Sequence, residues 1–288
     1  MRAQLCSPLR ARARRLALAS ALALLALLMI GLGASPALAA ANAADGSIAG
    51  VALNGTHGNA PVADQQVTLQ LTIGTNAHDL ATTTTDAQGH FSFTGIDLSS
   101  SGALGGSYAV YTTFQGGVFA TGAINLNASQ TQTATLTVYD ATQDSANLSV
   151  SVATVLVREP DVTHGLVGIG EFLTIRNSGT TAFVGSLPSN ASGGAMPSLL
   201  RFSLPANAQN VTTGVGFFNT TAVQIDSGFA AAATVPPGQT EFAFAYDLPY
   251  TGATLSVPYK AEYPTGQVVA LVPPNMLVRN ASGISAQG

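Results

Sequence analysis

The run Phe242-Ala243-Phe244-Ala245-Tyr246-Asp247-Leu248 places an aromatic ring or a leucine at every second position, with a small or polar residue between. Successive side chains of a strand point to opposite faces, so this spacing fits a sheet with one buried and one wet face. It does not fit a helix, whose apolar residues recur every three or four positions. Val67, Leu69, Leu71 and Ile73 repeat the pattern around Thr68, Gln70 and Thr72. From Gly46 onward such runs return about every eight to twelve residues between Gly, Pro and Asn turns, the spacing of β-sandwiches. The expected fold class is therefore all-β.

The N-terminus has a different character. Arg2, Arg10, Arg12, Arg14 and Arg15 precede an apolar run from Leu16 to Leu32, and Ser35-Pro36-Ala37-Leu38-Ala39-Ala40 follows. A basic region, a hydrophobic segment and small residues at Ala37 and Ala39 make a helical secretory signal over residues 1–39, cleaved after Ala39. A second cleavage site lies after Ala43, and an uncleaved anchor is the alternative, because the run approaches the length of a membrane span. No Cys follows the run, which excludes a lipoprotein anchor. The expected location is extracellular or at the cell surface.

Cleavage would leave Arg158, Arg176, Arg201, Lys260 and Arg279 against fourteen acidic groups, five minus fourteen or a net charge of −9. A chain that acidic and without a basic run is a poor ligand for nucleic acid, and a membrane partner is expected only through an uncleaved signal or a missing C-terminal anchor. Cys6, the single cysteine, lies in the signal, so the remainder must hold together by packing without disulfides.

Residues 40–139 read as a first sandwich and 147–288 as a second, joined by a polar linker, 140–146, that lacks periodicity. Within the first, Ser47 to Leu53 is a strand with a bulge expected at Gly50, and Thr82 to Ile96 reads as a hairpin closed at Asp86-Ala87-Gln88-Gly89. Tyr108 to Phe114 and Val118 to Asn125 flank a turn at Gln115-Gly116-Gly117. Within the second, Leu148 to Val157 is a strand, a turn spans Pro160 to Gly170, and Glu171 to Asn177 returns. The Gly/Ser/Pro stretch from Gly185 to Pro197 is expected to be a mobile loop, and Pro236-Pro237-Gly238 suits a type II turn.

Gly50-Val51, Ala60-Pro61-Val62, Val67 to Leu71, Thr84 to Phe93 and Tyr108 to Val110 together resemble the carboxypeptidase regulatory-like domain. The resemblance covers Ser47 to Tyr139 and implies a transthyretin-like, seven-stranded sandwich among the carbohydrate-binding-like folds, without peptidase residues. The second half resembles a region found downstream of that domain in bacterial envelope proteins, through Val138 to Thr142, Phe202 to Ala208 and Tyr246 to Tyr250. It reads as an immunoglobulin-like or jelly-roll sandwich. Such relatives continue into further sequence, often a membrane helix, whereas this chain stops at Gly288 in a polar stretch. A secreted form and a C-terminally truncated one both stay open.

Catalytic, cofactor and metal residues are not expected. There is no Gly-x-Ser-x-Gly elbow, no H-E-x-x-H and no H-x-H, and His57, His78, His90 and His164 are isolated beside turns, where solvent satisfies a surface imidazole. Glu159, Asp161 and His164 on one hairpin tip, and Asp140 with Asp144 in the linker, are the nearest approaches to a cation site. A solvated tip and a plain linker account for them better.

The expectation is a non-catalytic structural or adhesive envelope protein whose partners are envelope proteins or polysaccharide. The rival is a carbohydrate-binding protein whose candidate ligand surface is Tyr108, Tyr111, Phe114 and Phe119, a platform for stacking sugar rings if it is not core. Seven N-x-S/T sequons, at Asn54, Asn127, Asn147, Asn190, Asn210, Asn219 and Asn280, mark glycosylation only in a eukaryotic secreted chain. The Ala/Arg-rich signal points to a bacterium instead.

Overall fold

The computed structural model describes residues 45–74, 76–99, 106–127, 129–187, 198–252 and 254–279. The expected signal, the sequons at Asn190 and Asn280 and most of the 185–197 loop lie outside them. Asp45–Gly288 forms one compact unit, and its described part is built of strands, with no helix long and apolar enough to cross a membrane among the described residues.

The first sandwich holds β1 (Gly46–Asn54), β2 (Ala60–Pro61), β3 (Gln66–Ile73), β4 (Asn76–Thr84), β5 (His90–Ile96), β6 (Ser107–Phe114), β7 (Gly117–Ala120) and β8 (Thr131–Val138). β1 lies between β8, its parallel neighbour, and β5 and β2, its antiparallel ones, while β4-β3-β6-β7 forms the facing sheet. Alternation fixes which side chains meet between the sheets. Ile48, Phe91, Phe93, Leu136 and Val138 come from one and Val67, Leu69, Leu71, Tyr108, Val110 and Phe119 from the other. Gln115 and Gly116 both take positive φ, 48° and 83°, and close the β6/β7 hairpin where the sequence placed its turn.

Two local expectations are corrected. The turn at Asp86–Gly89 forms, with Gly89 at φ 79° donating to Asp86 O at 2.9 Å, but it does not close a hairpin. β4 pairs with β3 and β5 pairs with β1, so the turn is a corner between the two sheets. Thr85 makes the corner by leaving β4: its N–H donates to Gln65 O and its Oγ1 to Val62 O, while Gly89 O accepts from Ala52 N. At Gly50 there is no bulge, since the register slips between Gly46 and Ile48 instead. Gly50 stays paired to Phe91 and Ala134, and a Cβ there would fall 2.3 Å from the Phe91 ring and 2.5 Å from Ala134 O. Close approach, not a kink, demands the glycine.

β4 is an exposed edge, and it carries its own protection. Its register against β3 jumps from Leu69↔Ala81 to Gln70↔Asp79, leaving Leu80 as an extra residue. A bulge of this kind interrupts the row of free backbone groups that would otherwise template pairing with another chain.

The second sandwich and the segment before it comprise β9 (Ala141–Thr142), β10 (Leu148–Val157), β11 (Leu166–Asn177), β12 (Ala182–Val184), β13 (Leu200–Ser203), β14 (Gln209–Thr213), β15 (Ala222–Ile225), β16 (Gly228–Ala231), β17 (Thr234–Val235), β18 (Gly238–Pro249) and β19 (Thr265–Leu271). A five-stranded sheet, β14-β18-β11-β10-β19, packs its inner face on the smaller sheets β13-β16-β15 and β17-β12-β9. Five phenylalanines centre the core: Phe202 stacks on Phe229 at 4.9 Å and touches Phe217, Phe242 and Phe244. β11 starts at Leu166 rather than Glu171, because Asp161 and Leu166 already exchange backbone hydrogen bonds. Gly168 and Gly170, which read as turn residues, are strand positions covered by the side chains of Arg158 and Phe172.

The sequence's polar linker is strand-paired. Ala141 and Thr142 lie parallel to Ala182 and Phe183, and Ala182 N donates to Asp140 O at 2.9 Å. All three residues of β12 are buried, and alternation divides them: Ala182 and Val184 enter the first core and Phe183 the second. Val118 N on β7 donates to Thr234 Oγ1 on β17, a further tie between the two sandwiches.

Candidate functional site

Asp140, two residues past the end of β8, collects a polar network from several parts of the chain. Asn54, buried at the end of β1, accepts Thr56 N–H on Oδ1 and donates from Nδ2 to Asp140 Oδ1 at 2.9 Å. His57 Nε2 lies 2.8 Å from Asp140 Oδ2, and Gln115 Nε2 donates to Oδ1 at 3.3 Å. Asp140 N–H donates to Thr56 Oγ1, which in turn donates to Thr180 O, and Gln115 Oε1 accepts Ala141 N–H. The Asn54 donor, followed by His57 and Gln115, holds the Asp140 carboxyl below the usual carboxylate range. Both carboxylate oxygens and both backbone groups are occupied. The arrangement therefore fixes the exit of β8 against the end of β1 and the start of β12.

The histidines are corrected accordingly. Three of the four have a carboxylate partner rather than solvent alone: His57 with Asp140, His90 Nδ1 with Asp86 Oδ2 at 3.4 Å, and His164 Nδ1 with Asp161 Oδ2 at 2.7 Å. The last two are local, at i,i+4 and i,i+3 within turns. Asp86 is lowered chiefly by the His90 backbone N–H, and Asp161 by the His164 side chain. At the tip of the β10/β11 hairpin Glu159 does not join Asp161 and His164, since its Oε2 accepts from Asn275 at 3.2 Å. Asp144 Oδ1 accepts Ala146 N–H at 2.9 Å.

The four aromatic residues of the candidate ligand surface do not share a face. Tyr108 and Phe119 are 1% and 4% exposed and belong to the first core, with Phe114 packed on its margin. Tyr111 points the other way, as alternation along β6 requires, and its ring meets Phe218 edge-on at 5.3 Å. Its hydroxyl donates to Asp79 Oδ2 at 2.8 Å, and Asp79 Oδ1 accepts from Gln70. The platform is therefore split between interior and a satisfied polar contact.

Two features were not expected from the sequence. An open groove of about 680 Å³ runs over β8, β1 and β5, floored by Ala49, Ser92, Thr133 and Thr135 and bordered by Thr83 and Asp86. Its lining is small and hydroxylic, with His90 as its one imidazole. In the second core Glu171 is 4% exposed, and Tyr246 Oη donates to its Oε1 at 2.9 Å. Burial pushes the Glu171 carboxyl up to about 7, against the smaller effect of the Tyr246 bond. The same burial, followed by the neighbouring Glu171 charge, raises the Tyr246 phenol. A carboxyl inside a strand that otherwise reads as apolar alternation gives no sequence signal of its depth.

No family model matches the chain, the carboxypeptidase regulatory-like domain included, and no curated protein matches it. Solved structures do. The major pilin SpaA of Corynebacterium diphtheriae aligns at 15% identity over 72% of this chain and 59% of its own, with a TM-score of 0.23. The major pilin subunit BcpA of Bacillus cereus aligns at 11% over 73% and 60%, with a TM-score of 0.22. A tetra-tandem repeat from the extending region of a large adhesion protein aligns at 16% over 73% and 42%, with a TM-score of 0.18. The chain thus spans less than two thirds of each of these proteins.

Proposed function

We propose that this chain is a non-catalytic structural protein of a bacterial cell envelope, exported by its N-terminal signal, with other envelope proteins as its partners. The observation that carries the reading is the shared strand β12. By sending Ala182 and Val184 into one core and Phe183 into the other, it makes two sandwiches a single body without a disulfide. Rigid spacing is what such a body supplies. The polar groups gathered around Asp140 serve the same end, because each is bonded to a neighbour in the fold rather than aimed into a cleft.

Cell fractionation with protease shaving of intact bacteria that express the tagged chain tests the proposal. Recovery in the envelope or medium, with accessibility to external protease, is expected; recovery in the cytosol with residues 1–39 still attached would overturn it.

A further inference from the structure

The ends of both sandwiches are tied in the same way. The first strand of each lies parallel to its last: β1 against β8, in register from Ser47↔Thr131 to Asn54↔Val138 without a slip, and β10 against β19, from Val150↔Thr265 to Leu156↔Leu271. In a parallel pair the start of one strand and the finish of the other sit at opposite ends of the ladder. Tension applied to the chain ends then acts along the strands and strains every cross-strand bond together. An antiparallel pair held at its open end is peeled one bond at a time.

Each ladder is also clasped beyond its backbone bonds. Ser47 Oγ lies 3.1 Å from Thr131 Oγ1 and Ser47 N donates to Gln130 O where β1 begins; Asn54 holds Asp140 where β8 leaves. In the second sandwich Val150 N donates to Pro264 O at one end, and Asn275 Nδ2 donates to Glu159 Oε2 past the other. Both ladders contain a glycine that lets the strands close: Gly50 faces Ala134 O, and Gly266 faces Ser151 O. Between the two ladders, the segment after Val138 is bound sideways to β12.

We infer that the chain is a tension-bearing tether, with two shear clamps in series along a load applied between its ends. The inference rests on the structural reading above and gives it a direction of load. Neither clamp needs a covalent cross-link.

Single-molecule pulling tests it on residues 40–288 by comparing two geometries in the same fold. One carries handles at the chain ends. The other carries handles on Asn147→Cys and Ser178→Cys, exposed positions beside Leu148 and Asn177, which are paired at the open end of antiparallel β10/β11. Cys6 lies in the signal, so these thiols are unique. At equal loading rate the end-to-end rupture force is expected to be at least twice the force across residues 147 and 178. Clamp failure should release segments of roughly 300 and 400 Å, for Gly46–Val138 and Leu148–Leu271 at about 3.5 Å per residue. An end-to-end force equal to or below that of the second geometry would overturn the inference. Because the comparison needs no destabilised variant, a low force with envelope recovery intact would sink the tether and spare the structural role, whereas cytosolic recovery would sink the role whatever the force.

Discussion

Asn54 Nδ2 donates to Asp140 Oδ1 across 2.9 Å and 86 residues of chain, tying the last residue of β1 to the second residue beyond β8. The bond closes the polar end of the parallel ladder and anchors the segment that pairs with β12. Asp140→Ala removes the acceptor for Asn54, His57 and Gln115 at once. Because the carboxylate is partly exposed, the loss is expected to be about 1 kcal/mol, read as a lower urea midpoint at unchanged m. Asp140 has its pKa depressed in the folded chain, so its contribution is present above the ordinary carboxylate pKa and is lost as pH falls through the lower folded value. The variant and the parent should therefore converge in stability at strongly acid pH.

Glu171 works in the opposite direction. Its folded pKa, pushed up to about 7, lies above the ordinary 4.5, so the folded chain holds a proton that the unfolded chain releases between those values. Its contribution is complete below about pH 4.5 and is lost as pH rises through 7, a swing of about 3 kcal/mol. Glu171→Gln keeps an acceptor for Tyr246 Oη and removes the titration. Urea melts between pH 5 and 8.5 should show the parent losing stability and the variant holding nearly level.

Gly50→Val places methyl groups where the Phe91 ring and Ala134 O already sit. Overpacking of this kind costs about 1–3 kcal/mol, and here it also pushes β8 off β1. Chemical denaturation should register the loss, and amide exchange should quicken along β8 before it does along β18.

The alternating runs were the legible part of the fold. Val67 to Leu71 and Phe242 to Leu248 carry their burial in their spacing, and the Gln115-Gly116 turn is written in two neighbouring residues. Partner choice was not legible. The Asp86–Gly89 turn looks the same locally whether its strands pair with each other or join opposite sheets, and the two parallel ladders join strands that are distant in sequence. The junction was hidden for a related reason: Asp140 sits in a short polar stretch without period, and its partners Asn54, His57 and Gln115 lie elsewhere in the chain. The candidate aromatic surface divides because Tyr108 and Tyr111, three apart on one strand, face opposite ways.

Phe183 offers the most direct trial of the claim that the two sandwiches are one body. It is 1% exposed, in the second core, between two residues that serve the first. Truncation to alanine should cost about 3–5 kcal/mol. Differential scanning calorimetry of residues 40–288 is predicted to show one transition, with calorimetric and van't Hoff enthalpies equal, that moves as a whole to lower temperature in Phe183→Ala. Two transitions in the parent, with only the second displaced by the substitution, would contradict the account.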